Sequence, residues 1–341
     1  MGSVKDLKVI KSAQADAPGI GHFHFSDRYS VFDWGEMPDL ITNKGKALCM
    51  MSAYFFEKLE ETGISTHYRG LVEGGAVKHL TDLSTPVDTM EVSLVRVIRP
   101  TTDTGNYDYS MYNSALTNIL IPLEIIYRNS LPSGSSVFRR LEDGSLSIDE
   151  IGLTHLPQPN DVLEKPILDV STKLEITDRY LSWKEAQKIS ALTDKELKNL
   201  KETTDKINGI ITEHASRAGL VNEDGKVEFA FDEQRRLMLV DVLGTPDECR
   251  FTHNKIPVSK EVTRIHYRKS DWYQAVEQAK KKDRAHWKER VSSPPPKLPV
   301  RLFELVSYLY QSSCNEITRK QWFPAPPLST ILQELQEHLT A

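Results

Sequence analysis

GKVEFAFDEQRRLMLVDVLGTPDECRF, running from Gly225 to Phe251, is the stretch whose reading decides the fold. Two apolar runs flank a short polar turn near Asp232–Arg236, which is the pattern of a β-hairpin. Acids stand where a hairpin has no structural need of them: Glu228 in the first run, Asp241 at the end of the second, and Asp247 just beyond. In a strand, Asp224, Lys226 and Glu228 recur with period two and share one face. Such an acid–lysine–acid row is costly to bury unless it is paired. The turn position brings Glu228 opposite Asp241, to within a residue. Two facing carboxylates repel unless a cation lies between them. Mg²⁺ bound to a nucleotide's phosphates meets that need, because it takes hard oxygen ligands and commonly only one or two carboxylates. An exposed hairpin face with solvated charges, Lys226 serving as a simple charge partner, accounts for the same pattern, and the spacing alone leaves both readings open.

Upstream of the hairpin, TDKELKNLKETTDKINGIITEHASRAG (Thr193 to Gly219) predicts the longest helix. Thr193 with Glu196 forms a capping box, and Gly219 is placed to end the helix. ILIPLEIIYRN (Ile119 to Asn129) is β-branched and apolar, and so a buried strand. LPSGSSVFRRLEDGS reads as a Gly/Ser loop after it, and Ser145 to Glu175 as a proline-bearing stretch without clear periodicity. Residues 1–45 read as short strands and turns, and MEVSLVRVIRP (Met90 to Pro100) as a further strand. Lys46 to Gly63 carries the stripe Leu48, Met51, Phe55, Leu59 of an amphipathic helix. Beyond about Ser270 come a charged helix (DWYQAVEQAKKKDRAHWKERV), a stiff SSPPPKLP turn, and two more helices. The sequence assigns this tail no chemistry; a helical cap or a contact between copies in a homo-oligomer is expected.

Composition narrows the field. At 341 residues and a formal net charge of −5, the chain can bury a large core and presents no general nucleic-acid surface. Cys49, Cys249 and Cys314 lie far apart without a CxxC pair, against a disulfide framework or a cysteine zinc site. No apolar run is long enough to span a membrane, and MGSVKDLKVIKSAQADAPG lacks an apolar signal core. A cytoplasmic protein is expected.

Several further stretches fit the handling of anions. Arg128 ends a buried strand and leads into donor-rich SGSS, and Arg250 offers a second guanidinium fork. Gly19 and Gly21 form a GxG turn that no GK[ST] follows, so it is not a Walker loop. His22 and His24 read as strand-face histidines rather than a metal pair. Lys44 and Lys46 put basic groups at the start of the first helix, where an anion also meets the helix dipole.

In this order the pieces resemble one family, phosphoribosylaminoimidazole-succinocarboxamide (SAICAR) synthetase. SDRYSVFD (Ser26 to Asp33) is similar to the family's [ST]DRxSxFD segment, and NKGKAL with its helix to the GKG-plus-helix segment. IPLEIIYRNSLPSGSSVFRRL (Ile121 to Leu141) resembles PxExVxRxxxxGSxxKR, and KPILDVSTKLE (Lys165 to Glu175) resembles PxFxPSTKxE. GKVEFAFD and LVDVLGTPDECRF are similar to DxKxEFG and DExLTPDxxRF. The matches are collinear from about residue 20 to 255.

The resemblance implies an α+β, two-lobed ATP-binding fold with a C-terminal helical extension. The expected division is a β-rich lobe over 1–118, an α+β lobe over 119–269 and the extension over 270–341. It implies a ligase of purine biosynthesis that joins carboxyaminoimidazole ribotide (CAIR) and L-aspartate at the expense of ATP, with Mg²⁺. ATP would phosphorylate the ribotide carboxylate, and the aspartate amine would displace phosphate from the acyl phosphate. Carried over residue by residue, Glu228 and Asp241 would be the Mg²⁺ and ATP acids, with Asp224, Lys226 and Lys11 on the nucleotide side. Arg128, Ser135 and Arg250 would hold the ribotide phosphate, and Asp178 would contact substrate. Lys173, Lys226 and Asp247 would be the catalytic residues.

The chain departs from the family pattern in several places. No histidine precedes Asp178, Val242 replaces the second acid of an Asp–Glu pair, and Ala230 replaces a glycine. One extra residue separates Arg128 from the Gly–Ser pair, and a longer segment replaces the GKxK start. These bear on the acceptor site and the nucleotide lid. They motivate one alternative, a ligase or kinase-like enzyme of the same fold acting on another phosphorylated carboxylate or acceptor amine. A non-catalytic scaffold using the tail is the other, and the intact Lys226, Glu228 and Asp241 argue against it.

Overall fold

The computed structural model describes residues 5–103, 106–283 and 286–340. Two antiparallel sheets carry the molecule. The first is built from β1 (Lys5–Lys11), β2 (Gly19–Phe25), β3 (Tyr68–Glu73), β4 (Ala76–Lys78) and β5 (Thr89–Leu94), in the order β1-β2-β5-β3-β4. A small hairpin of β6 (Thr101–Asp103) and β7 (Asn106–Asp108) follows. The second sheet holds β8 (Ile119–Leu131), β9 (Asp161–Thr172), β10 (Val221–Phe231), β11 (Leu237–Val240), β12 (Cys249–His253) and β13 (Ile256–Pro257). Its order is β13-β12-β10-β8-β9, with β11 also on β10. Thr66 bridges to Leu239 and Arg96 to Ile119, so the two sheets are stitched together backbone to backbone.

The helices are α1 (Lys44–Glu61), α2 (Ser136–Glu142), α3 (Trp183–Ser190), α4 (Asp194–Arg217), α5 (Glu261–Arg268), α6 (Asp271–Lys282), α7 (Val300–Thr318) and α8 (Leu328–Thr340). Helix α1 packs on β2, β3 and β5 of the first sheet, and α4 on β8, β10 and β11 of the second. Helix α7 packs on α1 and α8 on α7, so the C-terminal helices cover the α1 layer. One buried apolar cluster runs from Phe23 through Ile125 and Phe251 to Leu335, drawing on every part of the chain. The three cysteines are free and buried in it.

The opening hairpin forms as its pattern requires. β10 and β11 pair with Glu228 opposite Val240, one residue from Asp241, and Asp232 closes the turn to Arg236. The Thr193–Glu196 capping box is present at the start of α4, and Gly219 follows its end at φ +72. The start of α1 has another device. Asn43 takes a left-handed φ and offers no side-chain cap; instead Asp27, from SDRYSVFD, accepts the Gly45 N–H at 2.9 Å and the Asn43 N–H at 3.3 Å. A Cβ on Gly45 would stand 2.4 Å from the Phe25 carbonyl oxygen, so only glycine lets the helix start this close to β2.

Four expectations need correction. The Gly/Ser loop after β8 is a short turn followed by helix α2, whose N-cap is Ser135. The stretch read as irregular contains the twelve-residue strand β9. Its first half, DVLEKP, is largely exposed on the sheet edge and holds Pro166, while only the second half is buried, so neither alternation nor an apolar run marks it. The strand expected over Met90–Pro100 stops at Leu94. The charged helix after Ser270 ends at Lys282 and gives way to a short 3₁₀ turn at Trp287–Arg290.

Candidate functional site

β8 and β10 lie side by side in the second sheet, and their register sets the site. Asp224 pairs with Arg128, Lys226 with Ile126, and Glu228 with Glu124. Across the other edge of β8, Glu124 pairs with Ser171, two residues before Lys173. One sheet face therefore collects Arg128, Asp224, Lys226, Glu124 and Glu228, with Lys173 at the end of β9.

At the centre is a quartet. Lys173 donates from Nζ to Glu228 at 2.6 Å and to Glu124 at 3.0 Å. Lys226 donates to the same Glu124 oxygen at 3.0 Å and lies 3.5 Å from both Glu228 and Glu248. Asp241 adjoins the quartet, its own φ of +67 turning the chain out of β11; aspartate tolerates that conformation better than most residues. Lys5 of β1 donates to Asp241, bringing the first sheet to the same point. Burial and the neighbouring Asp241 charge push the Glu228 carboxyl up to about 8, against the pull of Lys173 and Lys226. Burial also opposes ionisation of Asp241, but Lys5, Lys173 and Lys226 outweigh it and hold that carboxyl well below the usual range. Both lysines keep raised pKa values: burial works against their charge, and the surrounding carboxylates overcome it.

Two clefts meet at this quartet. One, of about 580 Å³, has apolar walls including Leu7, Val9, Phe23, Val95 and Leu120, with Glu228 and Asp241 at its edge. The other, of about 260 Å³, is polar, and Glu124 and Lys226 belong to its wall. Its basic groups are Arg128, Arg250, Lys260 and Arg264; Asp178, Asp224 and Asp247 are among its acids. Arg128 is buried, donating to Asp169 at 3.0 Å, to Ser136 at 3.1 Å and to Ser135 at 3.5 Å, with Asp224 3.6 Å away. Asp224 also pairs with Arg250 at 3.3 Å, and burial still raises its pKa against both arginines. Among the described residues, Arg128 Nε, Arg264 Nε and Glu248 Oε2 are buried without a hydrogen-bond partner, and all three side chains line this cleft. The guanidinium groups of Arg128, Arg250 and Arg264 on the wall of one cleft are donors suited to an anion.

Asp247 lies at the inner wall of the polar cleft. Its carboxylate accepts from Lys44 at 2.6 Å and from the Tyr310 hydroxyl at 2.8 Å, while Lys260 donates to its carbonyl at 2.7 Å. Burial would raise its pKa, but Lys44 and Lys260 hold it down. Asp178 lines the polar cleft and also an adjoining cavity of about 1110 Å³ that reaches Arg139, Arg140 and Arg179.

Of the residues singled out from sequence, Arg128, Lys173, Asp178, Asp224, Lys226, Glu228, Asp241, Asp247 and Arg250 line the two clefts or the quartet between them. Ser135 stands behind Arg128 as the α2 cap. Lys11 stands apart, exposed at the end of β1, and the β1 lysine that reaches the acids is Lys5. Gly19 serves packing: a Cβ there would meet the Lys11 carbonyl oxygen at 2.4 Å. His22 and His24 lie on the face of β2, bonded to Glu91 and Thr89. Sequence reasoning missed Glu124, Lys5, Lys260, Arg264 and Tyr310. Glu124 had a signal, a lone acid inside ILIPLEII; Tyr310 had none, since an aromatic on an amphipathic helix reads as core.

The two carboxylates fit a hard divalent cation in donor type, and both edge the apolar cleft. Burial first, and then the charge of Asp241, raise the Glu228 carboxyl against Lys173 and Lys226, and a bound cation would favour its ionised form. Among the described residues no group of three or more His, Cys, Asp or Glu is arranged for a metal, so a cation here would rely on ligands from a bound substrate.

A model of the SAICAR synthetase family matches residues 8–282. A candidate phosphoribosylaminoimidazole-succinocarboxamide synthase of Archaeoglobus fulgidus is 54% identical over 99% of this chain and all of its own length. The phosphoribosylaminoimidazole-succinocarboxamide synthase of Thermoplasma volcanium is 32% identical over 88% of this chain and 93% of its own. Among solved structures, the SAICAR synthase of Saccharomyces cerevisiae in complex with SAICAR shares the fold at a TM-score of 0.64, with 21% identity and 94% of each chain covered. A SAICAR synthetase in complex with ADP aligns at a TM-score of 0.55, with 23% identity, over 87% of this chain and 99% of its own.

Proposed function

The chain belongs to the SAICAR synthetase family; it is an ATP-dependent ligase of purine biosynthesis that joins CAIR and L-aspartate, and we propose how its own residues carry that reaction. The observation that supports the assignment of parts is the Lys173–Glu124–Lys226–Glu228 quartet, standing where an apolar cleft and a cation-lined cleft meet. ATP enters the apolar cleft, its base against Leu7, Val9 and Leu120 and its phosphates toward Glu228 and Asp241. The ribotide lies in the polar cleft, its phosphate taken by Arg128, Arg250 and Arg264, with Ser135 supporting Arg128. The carboxylate to be activated then lies beside Lys173 and Lys226.

A carboxylate is a poor acyl donor because oxide is a hopeless leaving group. Transfer of the γ-phosphoryl group from ATP gives an acyl phosphate and ADP; attack of the aspartate amine then forms the amide and releases phosphate. Both steps gather several anions, and fixed cations offset their repulsion without reorganising during the reaction. Lys173 and Lys226 serve there, held protonated by the acids around them. Glu228 and Asp241 are the residues that would hold Mg²⁺, which when bound supplies charge neutralisation on the phosphates. Asp178 faces both the polar cleft and its neighbouring cavity, and we assign it to the acceptor amine. A cytoplasmic setting belongs to the same reading, in keeping with free thiols and a nucleotide substrate.

Lys173→Met tests this arrangement. Loss of one fixed donor at the reacting group is expected to lower kcat by about 10²–10³-fold, with the KM for ATP within a few-fold of the parent value. Near-normal turnover would move the reacting carboxylate away from the quartet.

A further inference from the structure

The family match stops at residue 282, yet a residue beyond it bonds to Asp247 in the wall of the polar cleft. Tyr310, in the middle of α7, is fully buried, and its hydroxyl donates to Asp247 Oδ1 at 2.8 Å. The other carboxylate oxygen accepts from Lys44, whose ammonium also lies 5.2 Å from the centre of the Tyr310 ring. Lys260 fixes the backbone of the same residue through its carbonyl. Asp247 is thus gripped from three sides, by the start of α1, by the residue preceding α5, and by the C-terminal helix. Its remaining edge belongs to the wall of the polar cleft.

We propose that Tyr310 is a positioning residue for ribotide binding: the C-terminal helix, through this one hydroxyl, fixes the plane of the Asp247 carboxylate so that its free lone pairs face the ribotide. An ionised carboxylate offers about four acceptor sites. Two are occupied by Tyr310 and Lys44, and their directions determine where the other two point. Without the hydroxyl, the carboxylate is free to rotate about its bond toward Lys44, and the cleft loses a preset acceptor. The phenol is the donor and the carboxylate the acceptor, in keeping with burial and the Asp247 charge raising the Tyr310 pKa and with Lys44 and Lys260 lowering that of Asp247 against its burial. The same helix supplies the packing that makes this rigid: Leu302, Leu305, Val306 and Leu309 are buried around it. The tail is thereby part of the substrate site, and its removal is a loss of recognition as well as of stability.

The inference rests on the proposed seat of the ribotide in the polar cleft, whose wall includes Asp247, and so on a contact between them, and the test separates the two ideas. Steady-state kinetics of the full-length chain are compared for Tyr310→Phe, Asp247→Asn, the double variant and Tyr29→Phe. Tyr29→Phe is the control: it deletes another buried tyrosine hydroxyl, the 2.8 Å bond to Tyr267 of α5, which involves neither Asp247 nor α7. Both tyrosine variants keep their rings, and all are assayed below the melting temperature of the weakest, with the melting temperature of each recorded.

Tyr310→Phe is expected to raise the KM for CAIR roughly tenfold, the effect of losing one hydrogen bond to a charged group. Its kcat and KM for ATP should stay within about twofold, and Tyr29→Phe should leave all three unchanged. Asp247→Asn should raise the KM for CAIR further, and adding Tyr310→Phe to it should have little extra effect, as for two residues acting through one contact. If Asp247→Asn raises the KM for CAIR but Tyr310→Phe does not, the proposal falls and the ribotide reading stands. The proposal also falls if the two effects simply add, or if Tyr29→Phe gives the same defect as Tyr310→Phe. An unchanged KM for CAIR in Asp247→Asn removes the ribotide reading and the proposal together.

Discussion

At the scale of single residues, the site places opposing charges at their lowest mutual cost, and substitutions act by unbalancing them. Glu228 is squeezed between burial and Asp241, with Lys173 its nearest cation at 2.6 Å. Glu228→Gln keeps the volume and removes the ionisable carboxylate that would hold the cation. It is expected to fold normally and to lose most turnover, and a rate close to the parent's would remove Glu228 from the phosphate side. Arg128 and Arg250 will behave differently. Arg128 is 3% exposed and pairs with both Asp169 and Asp224, so Arg128→Ala removes a buried cation between them and leaves Asp169 to Arg140 and Asp224 to Arg250. We expect it to cost about 1–3 kcal/mol of stability, read as a fall in melting temperature that accompanies any binding effect. Arg250 is partly exposed, and among the described residues its ion pair is with Asp224. Arg250→Ala is expected to weaken ribotide binding by about 1.5–3 kcal/mol with little change in melting temperature. An unchanged affinity would move the phosphate away from this end of the cleft.

At the scale of elements, the parts of the fold that were legible in the sequence are those whose local chemistry and packing agree. The β10–β11 hairpin, the capped α4 and the apolar β8 were all readable, and so was the Asp224–Lys226–Glu228 row, two of whose members belong to the quartet. β9 was not, because its exposed first half follows no burial pattern and its proline reads as a break. Helix α2 was not, because a seven-residue helix leaves little periodicity and its cap, Ser135, reads as turn chemistry. The partners of Asp247 come from 203 residues before it and 63 after it, a separation no local pattern reveals. The connection after β11 offers a test of close packing. Gly244 has φ +67, and a Cβ there would stand 2.1 Å from the Phe55 ring. Gly244→Ala combines overpacking with a disfavoured backbone conformation, and is expected to cost at least about 1–3 kcal/mol by denaturant titration. A neutral result would mean that α1 and this turn are not held in contact.

At the scale of the whole molecule, the two sheets are joined by backbone bridges and their helices share one apolar core. Helix α7 buries Leu302, Leu305, Val306, Leu309, Cys314 and Ile317 in that core. Each apolar side chain removed from water contributes about 1.5–3 kcal/mol, and the sum over α7 is comparable with the whole net stability of a typical domain. A chain ended at Lys282, where the family match stops, is therefore expected to be unfolded or aggregated; a cooperative melt near the parent temperature would show that the tail is dispensable. The catalytic assignment depends on the same integration, since the first sheet brings Lys5 to Asp241 and the tail brings Tyr310 to Asp247. The most direct test of the whole account is one assay of the full chain with ATP, Mg²⁺ and CAIR, with and without L-aspartate, following ADP and SAICAR together. ADP and SAICAR formed in equal amounts, and only when aspartate is present, is the predicted result. ADP released at the same rate without aspartate, and no SAICAR with it, would contradict the account.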